Sequence, residues 1–181
     1  MPHARTQIER EEKVEEILDA AERRLRHGGY DEMSVAGIAR HVGVAPNSVY
    51  WYFPSKDDLF IAALRRIIAG LAAKKPPSSR GLVTQVLWAT DQMHALTALR
   101  ADLRERAKHS RIASEFNREL DDLIRRLLIH GIEPYLRGAN AELAATTFLA
   151  TVEGTFTIGL KKTERHMAIR MALERLIGVR E

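Results

Sequence analysis

The run from Ser34 to Lys56, SVAGIARHVGVAPNSVYWYFPSK, constrains this chain more than any other stretch. Val35, Ile38, Ala39 and Val42 recur at i, i+3, i+4 and i+7, the apolar face of a short helix. Gly43 breaks that pattern where a residue with positive φ lets the chain turn sharply. Pro46 suits the first turn of a second helix, where a missing N–H costs nothing. Pro54 ends that helix, because the residue before a proline avoids the α region. Ser55 followed by Asp58 reads as a capping box for the next helix. Two short helices joined across a glycine turn make a helix-turn-helix, placed here over residues 34–53.

Turning the second helix by about 100° per residue sets Val49 and Phe53 on one side. Asn47 and Trp51 then lie nearly opposite, with Ser48 and Tyr50 on the flanks. A merely solvated face would carry Lys and Glu. Amides, hydroxyls and rings instead suit base edges, thymine methyls and phosphates. A competing reading packs Tyr50, Trp51, Tyr52 and Phe53 beneath neighbouring helices; it fits Phe53 first and Tyr52 second.

The run IARHVGVAPNSVYWYFPSKDDLF resembles the signature of the TetR family of transcriptional repressors, with Ile38, Ala39, Gly43, Val44, Tyr50, Phe53, Lys56 and Leu59 at matching positions. The resemblance covers about the first third of the chain. It implies a three-helix DNA-binding head, in which Ser34, Ala45, Pro46, Asn47, Ser48, Tyr50, Trp51, Tyr52 and Lys56 meet DNA. Lys56 would hold a phosphate together with Tyr50, and a helix N-terminus with its free N–H groups favours that independently. Two residues depart from the family pattern. Asn47 stands where Gly is frequent, which bears on base preference, and His41 where a small Ala precedes the glycine.

Thr6 with Glu9 predicts a cap for the first helix, which carries Val14, Ile17, Leu18, Ala21 and Leu25 inward and ends at His27-Gly28-Gly29. Residues 1–6 are then a mobile tail, or an arm whose His3 and Arg5 reach DNA. The fourth helix runs from Lys56 through Ile68 and frays at Gly70. PPSSRG after Lys75 cannot continue a helix and marks the boundary, near 75–81. The predicted organisation is a head at 1–55, a connecting helix at 56–75, and a C-terminal ligand-binding and dimerisation domain at 82–181.

The C-terminal part shows no period-two run and no hairpin signal, so the fold class is all-α. Phe116, Leu120, Leu123, Leu127 and Leu128 are predicted inward on a helix from Ile112 to Tyr135 that Pro134 closes. The next helix carries two stripes: Ala145, Phe148, Leu149, Val152 and Phe156, and beside it Ala144, Thr147, Thr151, Thr155 and Ile158. In the last helix Met167 and Met171 are displaced from Ile169, Ala172, Leu173 and Leu176. Two apolar faces need two sets of neighbours, so one set is expected in the protomer core and the other in a four-helix homodimer interface. The resemblance implies the same use of these helices. It also implies a small-molecule effector among the C-terminal helices, for which Trp88, Met93, Phe116, Phe148, Thr151 and Thr155 are the candidate lining; plain core packing explains each equally. Glu153 reads as a partner for a cationic ligand, a salt bridge across the dimer, or a solvated charge.

Other functions find little support. With no cysteine there is no disulfide framework, zinc finger or thiol nucleophile. The seven histidines include no i, i+3 or i, i+4 pair, so no helical metal site is encoded, and no cofactor motif occurs. No apolar run approaches a membrane span, and residues 1–16 are charged throughout, so the expectation is a cytoplasmic protein. The net charge of +4 permits a nucleic-acid partner. Residues 1–75 hold 12 basic and 11 acidic side chains, so DNA binding rests on local placement rather than bulk charge. The sequence predicts a non-enzymatic, sequence-specific transcriptional regulator, a repressor released from a palindromic operator by a small molecule. The alternative is a helical interaction module without specific DNA binding.

Overall fold

The computed structural model describes residues 2–178, with side chains throughout that range except at 2–8 and 78. Among the described residues every regular element is helical, as the missing strand signals predict. The helices are α1 (Pro2–Glu32), α2 (Val35–His41), α3 (Pro46–Tyr52), α4 (Lys56–Ala72), α5 (Leu82–Ala95), α6 (Thr97–Ala107), α7 (Arg111–Ile132), α8 (Ala139–Thr157) and α9 (Lys162–Ile177). A 3₁₀ turn, Ser78–Arg80, follows the proline pair. Among these residues no helix is long and apolar enough to cross a membrane.

Helix α1 starts at Pro2, so Thr6 lies inside it rather than at its cap, and the expected tail is helical backbone. The side chains of His3, Arg5 and Thr6 lie outside the described residues. The glycine pair, expected to end α1, interrupts it at Gly28 (φ −151°) and Gly29 (φ 70°), and a last helical stretch runs on to Glu32. Helix α4 passes Gly70 and ends at Ala72.

The chain divides into two compact units. The first runs to Ala73 and takes in Ala98–Asn117; the second comprises Lys74–Thr97 and the chain from Arg118 onward. In the first unit α1 packs on α2 and α4, and α2 on α3. Ile17, Ala21 and Leu25 of α1 are buried, as are Ile38, Val49, Leu59, Phe60 and Ile67 of the others. Arg66 of α4 reaches back to Glu15, Asp19 and Glu22, which share the outer face of α1 at helical spacing. A single cut at the proline-serine segment would have left Ala98–Asn117 with the C-terminal helices. That segment instead joins the head, because Asp102 accepts the Tyr30 N–H at 2.8 Å and Arg106 binds Asp57.

In the second unit α9 packs on α8 and α5. Val83, Val86, Leu87, Phe148, Val152, Ile169 and Leu173 form its main core, and Ile132, Ala141, Ala144 and Ala145 a smaller one. Asp91 of α5 ties α9 down by accepting from Lys162 Nζ (2.8 Å), Arg165 Nη2 (2.9 Å) and His166 Nε2 (2.9 Å). The Arg165 guanidinium also lies over the Phe156 ring.

Two predicted faces are corrected here. Leu123 and Leu127, expected inward on α7, are exposed, Leu127 at 59 %. The sequence offers Leu120-Leu123-Leu127 and Leu120-Ile124-Leu128-Ile132 as rival stripes, and the helix turns the second one in, with Ile132 buried and Leu128 packed on both cores. Helix α7 also ends at Ile132 rather than Tyr135. On α8, Ala144 and Thr155 are buried, while the outward stripe is Leu143, Thr147, Ala150, Gly154 and Ile158. Met167 and Met171 face outward on α9, as their displacement predicts.

Candidate nucleic-acid interface

Ser34 caps α2: it is extended, and its hydroxyl accepts from the Gly37 N–H at 3.2 Å. Gly43 takes φ 71° in the turn, the left-handed conformation anticipated there. Closure follows as Val44 N donates to Ala39 O at 2.9 Å. Ala45 is extended ahead of Pro46, which opens α3. Phe53, extended before Pro54, closes α3 by donating its N–H to Val49 O.

This frame fixes the rotation of α3. Val49 is 0 % exposed and Phe53 is buried, whereas Trp51 is 86 % exposed. Asn47 and Tyr50 are also exposed, and Ser48 and Tyr52 are half-buried. Ser34, Ala45 and Pro46 are open to solvent. The residue types on this outer side can donate to and accept from base edges, and Trp51 leaves a large ring unpartnered in water.

His41 is explained by a contact across the head. Arg23 Nη2 lies 2.8 Å from His41 Nε2. A guanidinium can only donate, so His41 accepts through Nε2. The larger side chain is thus used to link α2 to α1.

Lys56, half-buried in the first turn of α4, places its ammonium 4.0 Å from the Tyr30 ring centroid. Burial pulls its pKa down. The Tyr30 hydroxyl donates to Asp57 Oδ1 at 2.6 Å, and the Phe60 ring meets the Tyr30 ring edge-on at 5.0 Å. Arg106 donates to both Asp57 oxygens, Nε and Nη2 each at 3.0 Å. Burial would raise the Asp57 pKa, but hydrogen bonds from Arg106, Tyr30 and Ser110 outweigh it and hold the carboxyl below its usual range. The Tyr30 phenol is pushed well above its ordinary value, by burial first and then by Asp57. Sequence reasoning missed Tyr30, Asp57 and Arg106. Their partners lie 27 and 49 residues away, and no local pattern carries that signal.

The candidate ligand residues fall in both units. Met93 and Phe148 share the main core of the second unit, whereas Phe116 is buried in the first, beneath the Arg65 guanidinium. Trp88 is half-buried on α5. Thr151 and Thr155 donate to Thr147 O and Val152 O of their own helix. Glu153 is exposed.

Residues 17–63 match the family described as bacterial regulatory proteins, tetR family. Over 68 residues the chain is 35 % identical to the HTH-type transcriptional repressor KstR of Mycobacterium tuberculosis, a match covering 38 % of this chain and 31 % of that protein. The chain therefore spans about a third of that relative's length. A transcriptional regulator from Rhodococcus sp. Rha1 superposes over 91 % of this chain and 94 % of its own, with TM-score 0.68 and 26 % identity. A regulator from Saccharomonospora viridis solved in complex with choline shares the fold, with TM-score 0.71 and 16 % identity over 91 % of this chain and 96 % of its own.

Proposed function

We propose that this chain, which carries a TetR-family regulatory domain at residues 17–63, is a homodimeric repressor that binds a palindromic DNA operator and releases it when a small molecule binds. The observation that carries the reading is the rotation of α3. Its apolar pair is spent inside the head, and Asn47, Tyr50 and Trp51 stand in solvent with nothing of their own chain to recognise. Ser34 and the Ala45–Pro46 corner flank the DNA backbone, Ser48 and Tyr52 line the edges of the contact, and Lys56 holds a phosphate. Phosphate contacts supply salt-dependent affinity, and Asn47, Ser48 and Trp51 supply base choice.

Dimerisation is supported by the outward stripe of α8, which ends in Ile158 at 75 % exposure, and by Met167 and Met171, which are exposed on α9. A two-fold axis through that face presents two copies of α3 to half-sites about one DNA turn apart. The effector belongs in the second unit, where Trp88, Met93, Phe148, Thr151 and Thr155 are the proposed lining; Phe116 is a residue of the first unit. By preferring one conformation of the dimer, the effector shifts the population away from the DNA-binding state.

The test is selection of duplexes from a random-sequence pool by the wild-type protein, followed by gel shifts at two salt concentrations. A recovered palindrome whose binding is abolished by Trp51→Ala supports the reading. Equal, weak binding to every duplex supports the interaction-module alternative.

A further inference from the structure

Lys56 sits directly beside an aspartate, and both groups meet the same phenol. The ammonium lies 4.0 Å from the Tyr30 ring centroid, and Asp57 Oδ1 accepts the Tyr30 hydroxyl at 2.6 Å. Neighbours i and i+1 on a helix do not face each other, but here both side chains turn to Tyr30, and a flexible four-carbon stem can carry an ammonium to a free carboxylate on that ring. Here the carboxylate is already occupied. Arg106 grips it by both oxygens, and its guanidinium also lies 4.9 Å from the Tyr30 centroid. Ser110 adds a further hydrogen bond. The planar fork of arginine matches a carboxylate in a way a lysine cannot.

We infer that Arg106 is a positioning residue for DNA binding, which keeps Asp57 engaged so that the Lys56 charge stays available to a backbone phosphate. The inference rests on the reading of Lys56 as a phosphate contact. The other carboxylates that act on Lys56 are Asp31, the strongest of the three, and Asp102; Asp31 is exposed, so solvent screens its pull. Asp102 is committed to the Tyr30 N–H. In the absence of Arg106, Asp57 keeps the Tyr30 and Ser110 hydroxyls but loses its guanidinium partner, beside the ring that Lys56 also meets. An ion pair between the two then competes with DNA. Arg106 lies in the segment that reads in the sequence as part of the C-terminal helices, so a residue far from the helix-turn-helix sets how many phosphates the head can neutralise.

The test is the salt dependence of binding by full-length protein to a duplex of about 30 base pairs that the wild type has selected, spanning several half-site lengths. Each neutralised phosphate contributes about 0.9 to the slope of log Kd against log salt concentration. Lys56→Ala removes one phosphate per protomer, so a dimer loses about 1.8 of slope. Arg106→Ala is expected to lose the same amount, and R106A/D57N to recover the wild-type slope, since the competing carboxylate is gone. Between 50 and 200 mM salt, a loss of two phosphates changes the salt sensitivity of affinity by roughly tenfold. If Arg106→Ala loses the fold in a thermal melt, Arg106→Gln is read instead. A purely structural role weakens binding without changing the slope, and that result, or a double variant no better than R106A, overturns the inference alone. A wild type that selects no duplex, or a Lys56→Ala variant with unchanged slope, overturns the phosphate-contact reading and this inference with it.

Discussion

Asp91→Asn should destabilise the second unit through the loss of one charge. In the native protein Asp91 Oδ1 accepts from Arg165 and His166, and Oδ2 from Lys162. These contributions differ. Lys162 is largely exposed, so its bridge is worth about 0–1 kcal/mol. Arg165 is 3 % exposed, and its Nε finds no acceptor, so Asp91 serves this buried guanidinium as a counter-ion. Removing one partner of such a pair costs about 3–5 kcal/mol. The asparagine oxygen still accepts one bond and Asp91 is partly solvated, which reduces the expected loss to about 2–4 kcal/mol. At about 2–4 °C per kcal/mol, the melting temperature should fall by roughly 4–16 °C. The assay is circular dichroism at pH 7 with protomer concentration fixed, because the proposed dimerisation would make Tm depend on concentration. The pH dependence separates charge from packing. Burial would raise the Asp91 pKa, but Lys162, His166 and Arg165 hold it far below the usual carboxylate range. A depressed folded pKa means the stabilisation is complete above the unfolded value of about 3.9, and is lost as pH falls through it towards the folded one. The gap between wild type and variant should therefore narrow as pH is taken from 7 towards 3. An unchanged Tm at pH 7, or a gap equally wide at both ends, would refute the reasoning.

Two further outcomes are expected. Ile158→Glu with Met171→Glu should change protomer stability by about 0.5 kcal/mol or less, since both side chains are exposed; sedimentation at micromolar concentration should move from dimer to monomer, and a variant that still sediments with the wild type removes this face from the interface. Gly29→Ala places a side chain at φ 70°, with its Cβ 2.5 Å from Asp102 Oδ2; strain and the disturbed bond to the Tyr30 N–H together should cost about 2–3 kcal/mol in a denaturant melt, whereas a neutral result would mean that Asp102 can move freely.

The head was legible because each of its decisions is made over a few residues. Ser34, Gly43, Pro46, Pro54 and Ser55 each specify a cap, a turn or a stop, and the structure uses all five in those roles. Rotation of α3 followed from Val49 and Phe53, because a helix of seven residues with one apolar pair has only one side to bury. Helix α7 offered two overlapping apolar stripes, and periodicity alone could not choose between Leu127 and Leu128. Packing against Ile132 and Ala145 made that choice.

By itself, then, the order of residues determined the helical class, the helix-turn-helix and the outward side of its second helix, since caps, turns and single apolar faces are short-range matters. Only the tertiary structure decided that Ala98–Asn117 joins the head, that Asp57 is gripped by Arg106, and that Asp91 gathers Lys162, Arg165 and His166 from α9. Those pairings bring together charges 49 to 74 residues apart, and a charge on a helix surface has no preferred partner until the fold places one within reach.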